Sequence, residues 1–140
     1  MTFDKRKVVY QIYPKSYKDT TGNGIGDLQG IIEKIPYLAK LGVDMVWLNP
    51  FYPSPQHDNG YDISDYTAVN PLFGSMDDFE EMIQVGKEYG IEFMLDMVLN
   101  HCSTEHEWFQ KALAGDNYYQ DFFFLRDEPT DWLSKFGGSA

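Results

Sequence analysis

Asp96-Met97-Val98-Leu99-Asn100-His101 follows the apolar run Ile91 to Leu95 and ends in polar residues, with no Gly or Pro between. That is the pattern of a buried parallel strand whose C-terminal end carries chemistry, the end where open α/β sheets and α/β barrels place their sites. A carboxylate, an amide and an imidazole so close together are costly to bury without partners. They either serve a ligand or satisfy nearby loop backbone, and the rest of the chain decides which.

Two more runs look like Ile91–Val98. Val8 to Tyr13 is β-branched and aromatic and ends at Pro14. Val43 to Leu48 is short, apolar and suited to burial on both faces. Strands two and three both start directly after a glycine, at Gly42-Val43 and Gly90-Ile91, which suggests one repeated unit.

Helices are predicted between the strands. Asp27 is a natural N-cap for a helix with Leu28, Ile31, Ile32 and Ile35 on one face. Pro36 predicts a kink and a second segment burying Leu38 and Leu41, closed by Gly42. Ser75, with Asp78 three residues on, starts a helix with a buried stripe of Phe79, Met82, Ile83 and Tyr89, ended by Gly90. Ser103 or Thr104 caps a further helix, roughly Glu105 to Ala114, before Gly115.

From Asp116 the periodicity is lost. Tyr118, Tyr119, Phe122, Phe123 and Phe124 crowd together, and Gly137-Gly138-Ser139-Ala140 follow. Three strands with crossovers imply parallel pairing. Three parallel strands neither close a barrel nor cover both faces of a sheet, so the expectation is the N-terminal part of a longer α/β barrel. The runner-up is a small doubly wound sheet.

The 140 residues suffice for a real core. The 22 acidic against 11 basic residues leave a net charge of −11, which argues against nucleic acid or an anionic membrane as partner. Aromatics at 16 % suit a cleft for flat ligands such as sugars, or a core. Cys102, the single cysteine, fits a reducing compartment. No signal-peptide core and no long apolar run is present, so a soluble cytoplasmic protein is expected.

The glycine-rich stretch Asp19 to Asp27 fails as a dinucleotide loop, because Gly24 and Gly26 are followed by Gly30, one residue late for G-x-G-x-x-G. It compares better with a calcium loop. Asp19, Thr21 and Asn23 hold the first, third and fifth positions, Ile25 offers a carbonyl, and Asp27 stands at the ninth. Gly30 replaces the bidentate glutamate, so an Asx-turn loop without metal fits equally well.

The connection Phe51 to Gly74 is about fourfold longer than an ordinary βα loop. Within it His57-Asp58-Asn59-Gly60-Tyr61-Asp62 carries a turn able to aim Asp58 and Tyr61 the same way. A carboxylate beside an aromatic ring suits a sugar, with hydroxyls on the carboxylate and the apolar sugar face on the ring. A solvated turn is the plainer alternative. His101 and His106 are not spaced as H-E-x-x-H, and Cys102 reads as a structural thiol rather than a nucleophile.

Asp96-Met97-Val98-Leu99-Asn100-His101 resembles the first conserved region of the α-amylase family of glycoside hydrolases. Tyr10-Gln11-Ile12-Tyr13-Pro14, Gly24-Ile25-Gly26-Asp27-Leu28 and Asp58-Asn59-Gly60-Tyr61-Asp62 resemble its oligo-1,6-glucosidase branch. Within that branch, four stretches look most like the members that cleave trehalose 6-phosphate. They are Tyr13-Pro14-Lys15-Ser16, Asp19-Thr20-Thr21-Gly22-Asn23-Gly24, Ser103-Thr104-Glu105-His106 and Ser134 to Ala140.

The resemblance implies the first three βα units of a (β/α)8 TIM barrel over residues 1–103. Residues 104–140 would begin a small domain inserted after strand three. It implies a retaining hydrolase producing glucose and glucose 6-phosphate, with an Asp nucleophile and a Glu acid/base about 5 Å apart. Neither of these is expected within the 140 residues, so the chain alone should be inactive. Asp58, Tyr61 and His101 are implied as substrate-binding, with Asp96 and Asn100 supporting them.

A calcium ion on Asp19, Thr21, Asn23, Ile25 and Asp27 is implied as possible, with no cofactor required. The implied partner is a small sugar, and the full-length parent is expected to be a monomer. Activity on isomalto-oligosaccharides, or a non-catalytic carbohydrate-binding relative, are the alternatives. Lys15, Arg126 and Lys135 are phosphate candidates by charge alone.

Overall fold

The computed structural model describes residues 6–128 and 131–133. The stretch Ser134 to Ala140, including Lys135, lies outside the described residues. Two compact units divide the chain, Met1–His106 and Glu107–Ala140.

The first unit is a three-stranded parallel sheet, β1 (Val9–Ile12), β2 (Met45–Leu48) and β3 (Glu92–Leu95), in the order β1-β2-β3. The register sets Ile12 beside Leu48 and Leu48 beside Leu95. Tyr13, Asn49 and Asp96 therefore leave the sheet at one level. With its intervening helices this is the opening of a (β/α)8 barrel, the fold class expected from the sequence. A four-residue helix that the sequence did not suggest, α1 (Pro14–Tyr17), follows β1 and has Pro14 at its first position.

α2 (Leu28–Leu41) is capped as expected, the Asp27 side chain accepting from the Gly30 N–H. Leu28, Ile31, Ile35 and Leu38 are fully buried, each contributing about 1.5–3 kcal/mol of transfer free energy. The expected break at Pro36 does not occur, and α2 runs through it as one helix. Pro36 lies on the exposed face, where water can meet the Ile32 carbonyl that loses its donor. Leu41 is 57 % exposed rather than buried. At about 100° per residue it falls well off the centre of the Leu28–Leu38 stripe. Gly42 ends the helix at φ 88°.

α3 (Met76–Glu88) opens on a complete capping box, with Ser75 and Asp78 each bonding the other's backbone N–H. Its buried stripe differs from expectation. Met82 and Gly86 are buried and Phe79 and Val85 partly so, while Ile83 and Tyr89 are exposed. Ile83 lies on the flank of the stripe, and Tyr89 is already the C-cap. Gly86 is the missed contact: a Cβ there would stand 2.4 Å from the Phe93 ring, so only glycine lets α3 seat on β3. Gln29 of α2 donates to Asp78 and Glu81 of α3, at 2.8 and 2.9 Å, tying the two helices together.

β3 is shorter than the Ile91–Val98 expected and half-exposed rather than buried, because it is a sheet edge in this unit. Residues 96–101 are irregular.

The second unit contains α4 (Glu107–Leu113) and α5 (Asn117–Gln120), the former shorter than the Glu105–Ala114 expected. Trp108, Tyr118 and Tyr119 gather edge-on around Phe122 at 5.0–5.6 Å between centroids. Lys111 pairs with Glu107 and lies 4.7 Å above the Tyr119 ring. No helix among the described residues is long and apolar enough to cross a membrane.

Candidate sugar-binding site

The strand ends and the Phe51–Gly74 connection meet at Tyr61. The turn that delivers it is built from Asn59 at φ 54° and Gly60 at φ 101°. Gly60 is buried with its α-carbon against Pro50, where a Cβ would come within 3.3 Å of the Pro50 carbonyl. The Tyr61 N–H closes the turn onto the Asp58 carbonyl at 3.0 Å. From β1's side, the Tyr13 hydroxyl donates to the Asn59 carbonyl at 2.8 Å and Lys15 Nζ to Asn59 Oδ1 at 3.3 Å. Asn tolerates a positive φ better than most residues, and these two contacts hold it there.

Behind the turn, Asp62 organises the loop. Its carboxylate accepts from the Ser54 hydroxyl at 2.7 Å and the His57 N–H at 2.8 Å, and also from the Asp58 N–H. Burial alone would raise its pKa, but these bonds win and hold it below the usual carboxylate value. Asp62 is thus a loop-holder, while Asp58 is exposed on the same turn as Tyr61. Gln56 sits at φ 66° with both amide atoms buried and unpaired among the described residues. Such strain and unmet hydrogen bonding at one residue is a mark of functional loops.

Tyr61 reaches across the sheet. Its hydroxyl donates to Asp96 Oδ2 at 2.8 Å and accepts from Asn49 Nδ2 at 2.7 Å. Asn49 Oδ1 in turn accepts from Gln11 Nε2 at 3.0 Å. Burial, then the Asp96 bond, push the Tyr61 phenol above its ordinary pKa.

His101 is locked by its neighbours. Asn100 Nδ2 stands 3.1 Å from Nδ1, and Nε2 stands 3.0 Å from the Tyr61 carbonyl. An NH2 group only donates and a carbonyl only accepts, so the ring is the Nε2–H tautomer. The Tyr66 hydroxyl, 2.7 Å from both the Val98 and His101 carbonyls, pins the segment between them.

The structure therefore gathers Asp58, Tyr61, Asp96, Asn100 and His101 at one rim, the five residues singled out in the sequence. Gln11 and Asn49 were missed as members. Their signal was present: Gln11 is the lone polar residue inside Val8–Tyr13, and Asn49 follows β2 as Asp96 follows β3. Cys102 lies half-buried with its thiol pushed up by burial, the opposite of an activated nucleophile.

The Asp19–Asp27 loop closes on itself. Asp19 accepts from the N–H groups of Thr21, Gly22 and Gly24 at 2.7–2.8 Å. These bonds, that from Gly24 foremost, lower its pKa. Asn23 accepts from Ile25 N–H, and Asp27 from Thr20 and Gly30. No group of three or more His, Cys, Asp or Glu among the described residues is placed to hold a metal. A cation here would rest on Asp19 and Asp27 with the oxygens of Thr21, Asn23 and Ile25, a donor set suited to a hard ion and poor in charge.

Known proteins resemble this chain in both sequence and shape. The alpha amylase catalytic-domain family matches residues 11–140. Trehalose-6-phosphate hydrolase of Escherichia coli K12 is 55 % identical over 138 residues, which are 95 % of this chain and 25 % of that protein. Glucan 1,6-alpha-glucosidase of Streptococcus dysgalactiae subsp. equisimilis is 50 % identical, over 96 % of this chain and 25 % of that one. The crystal structure of Bacillus licheniformis trehalose-6-phosphate hydrolase superposes with a TM-score of 0.93 at 54 % identity, covering 97 % of this chain and 26 % of the other. The chain thus spans about a quarter of the length of the curated relatives it matches. On this evidence of sequence and shape, the chain belongs to the α-amylase family of glycoside hydrolases.

Proposed function

We propose that these 140 residues form the sugar-holding rim of an α-glucosidase-type glycoside hydrolase that cleaves trehalose 6-phosphate to glucose and glucose 6-phosphate. The observation that carries the reading is Tyr61. Its hydroxyl is tied between Asn49 and Asp96, so its ring is fixed at the strand ends, and the exposed Asp58 lies on the same turn, its carbonyl accepting from the Tyr61 N–H. A fixed ring and an exposed carboxylate on one turn match the apolar face and the hydroxyls of a glucose unit.

In this reading Asp58 accepts sugar hydroxyls and Tyr61 backs the sugar face. His101 lends its ring edge, with Asp96 and Asn100 as supports. The nucleophile and the acid/base of the two-step reaction are assigned to no residue of 1–140. Of the three cations named as phosphate candidates, Lys15 is hydrogen-bonded to the sugar-facing turn. Arg126 reaches the Leu125 carbonyl in the second unit, and Lys135 is not described. The Asp19–Asp27 loop is proposed to need no cation, its acceptors being met by its own N–H and hydroxyl groups. Residues 104–140 are proposed to open a domain inserted after strand three, and the protein to act in the cytoplasm as a monomer.

A second reading, cleavage of α-1,6-linked glucose, is favoured by the 50 % identity to the streptococcal glucan 1,6-alpha-glucosidase. A protein of the relatives' length containing these residues decides between them when assayed on trehalose 6-phosphate and isomaltose. Preference for trehalose 6-phosphate supports the first reading; equal rates support the second. Turnover by the 140 residues alone would contradict the absence of the reacting carboxylates from this segment.

A further inference from the structure

Gln11, Asn49, Tyr61 and Asp96 form one hydrogen-bonded line across the ends of all three strands, with links of 3.0, 2.7 and 2.8 Å. The links join residues 38, 12 and 35 positions apart in the chain, so no local turn produces the line. Its direction is dictated from one end. A carboxylate only accepts, so the single phenolic proton of Tyr61 goes to Asp96. The Tyr61 oxygen then has only acceptor capacity left, and Asn49 must present its NH2 to it. The Asn49 oxygen consequently faces Gln11, which must present its own NH2.

The dependence also runs from Gln11 towards Asp96. An Asn side chain alone can turn over and offer its oxygen to Tyr61, which would draw the phenolic proton away from Asp96. The Gln11 NH2 on Asn49 Oδ1 opposes that rotation, because turning Asn49 over would set two donors against each other. Asp96 Oδ2 is committed to the phenol, and its Oδ1 accepts no hydrogen bond among the described residues.

We propose that Gln11 is a positioning residue: by fixing the Asn49 amide it keeps the Tyr61 proton on Asp96 and leaves Asp96 Oδ1 open to a sugar hydroxyl, a direct contact beyond the supporting role given to Asp96 above. The last clause rests on the glycosidase reading above; the rest does not.

NMR of the 13C-labelled 140-residue chain tests it through the Asp96 carboxyl carbon and the Tyr61 ring carbon that bears the hydroxyl. Tyr61→Phe gives the reference displacement of the Asp96 signal when the phenol donor is gone. Gln11→Glu replaces the donor by an acceptor, so Asn49 turns over. The Asp96 signal then moves to the Tyr61→Phe position, and the Tyr61 signal moves with it. Gln11→Met removes the donor without replacing it, and the Asp96 signal lies between the wild-type and Tyr61→Phe positions. Backbone amide signals of the three strands stay in place in all three variants, apart from those of residue 11 and its chain neighbours.

An Asp96 signal unmoved by both Gln11 variants, or unmoved by Tyr61→Phe, overturns the proposal. Glucose is then added to the wild-type chain. Displacement of the Asp96 signal supports the sugar clause. Its absence, with the Gln11 effects intact, overturns that clause and leaves the positioning role standing.

Discussion

Two parts of the first unit are built around carboxylates and differ in how far their hydrogen bonds reach. In the Asp19–Asp27 loop the side-chain bonds span between two and seven residues of chain. At the sugar rim the bonds that tie the strand ends to the long connection and to one another span 12 to 46, from Asn49–Tyr61 to Tyr13–Asn59, beside the adjacent Asn100–His101 pair. The first is a local structure that nine residues specify. The second exists only when three strands and a long connection are assembled. A locally closed loop uses its acceptors on its own backbone, whereas a rim assembled from a distance can leave an exposed carboxylate beside a fixed ring. Under the proposed function, that difference favours the rim over the loop as the place for a sugar.

Removing Asp27 should break the local structure most severely. It is 7 % exposed and serves Thr20 twice and the Gly30 N–H at the start of α2. Asp27→Ala is expected to cost about 2–4 kcal/mol, as a lost helix cap plus unmet buried donors, measured by urea unfolding. Tyr61→Phe should cost less, about 1–2 kcal/mol, because Asn49 and Asp96 are only partly buried and water can replace the phenol. Sugar binding at the rim should nevertheless weaken in Tyr61→Phe and stay intact in any folded variant of the Asp19 loop. A Tyr61→Phe chain that loses more stability than Asp27→Ala would reverse the comparison.

Gln56→Gly tests the rim in the opposite direction. Relief of a positive φ and of two unpaired buried amide atoms should raise stability by about 1 kcal/mol, read as a higher Tm. A lower Tm would mean that the Gln56 amide has a partner in solution.

The local-versus-distant contrast also explains what was legible in the sequence. Asp27 as a cap, the Ser75–Asp78 box and the glycine stops after α2 and α3 depend on neighbours in the chain, and all were read correctly. The strands and their parallel pairing followed from apolar runs separated by helical periods. The errors were tertiary. Pro36 was misread because its tolerance depends on which face of α2 meets solvent, and Tyr89 because the helix ends beneath it. Gly86 was overlooked because its value lies in the Phe93 ring across the interface. At the rim, Asp58, Tyr61, Asp96, Asn100 and His101 were legible from their residue types and from the resemblance, whereas the role of Gln11 and Asn49 depends on strand register, which sets them in line with Tyr61 and Asp96.

At low pH, titration should act on both regions through their aspartates. Asp19, Asp62, Asp65 and Asp78 have pKa values lowered in the folded chain by the hydrogen bonds they accept. Groups with depressed folded pKa values contribute stability that is present above the unfolded pKa and lost as pH falls through the folded one. Unfolding free energy should therefore be flat between about pH 5 and 8 and fall below about pH 4. Tyr61 has a raised pKa, so its contribution is complete below about pH 10 and is lost as pH rises through its folded value. The smallest effect expected is that of calcium. Because the loop already satisfies itself, millimolar Ca2+ should shift Tm by less than about 1 °C, and a larger shift would mean that the loop binds the ion.

The central claim is that the rim around Tyr61 holds a glucose unit. Its most direct test is a glucose titration of the 140-residue chain, followed by NMR at the side chains of Asp58, Tyr61 and His101 and, for contrast, at Asp19 and Asp27. Saturable shifts at the first three with the last two unmoved are predicted. Shifts confined to the Asp19–Asp27 loop, or none at the rim up to saturating glucose, would contradict it.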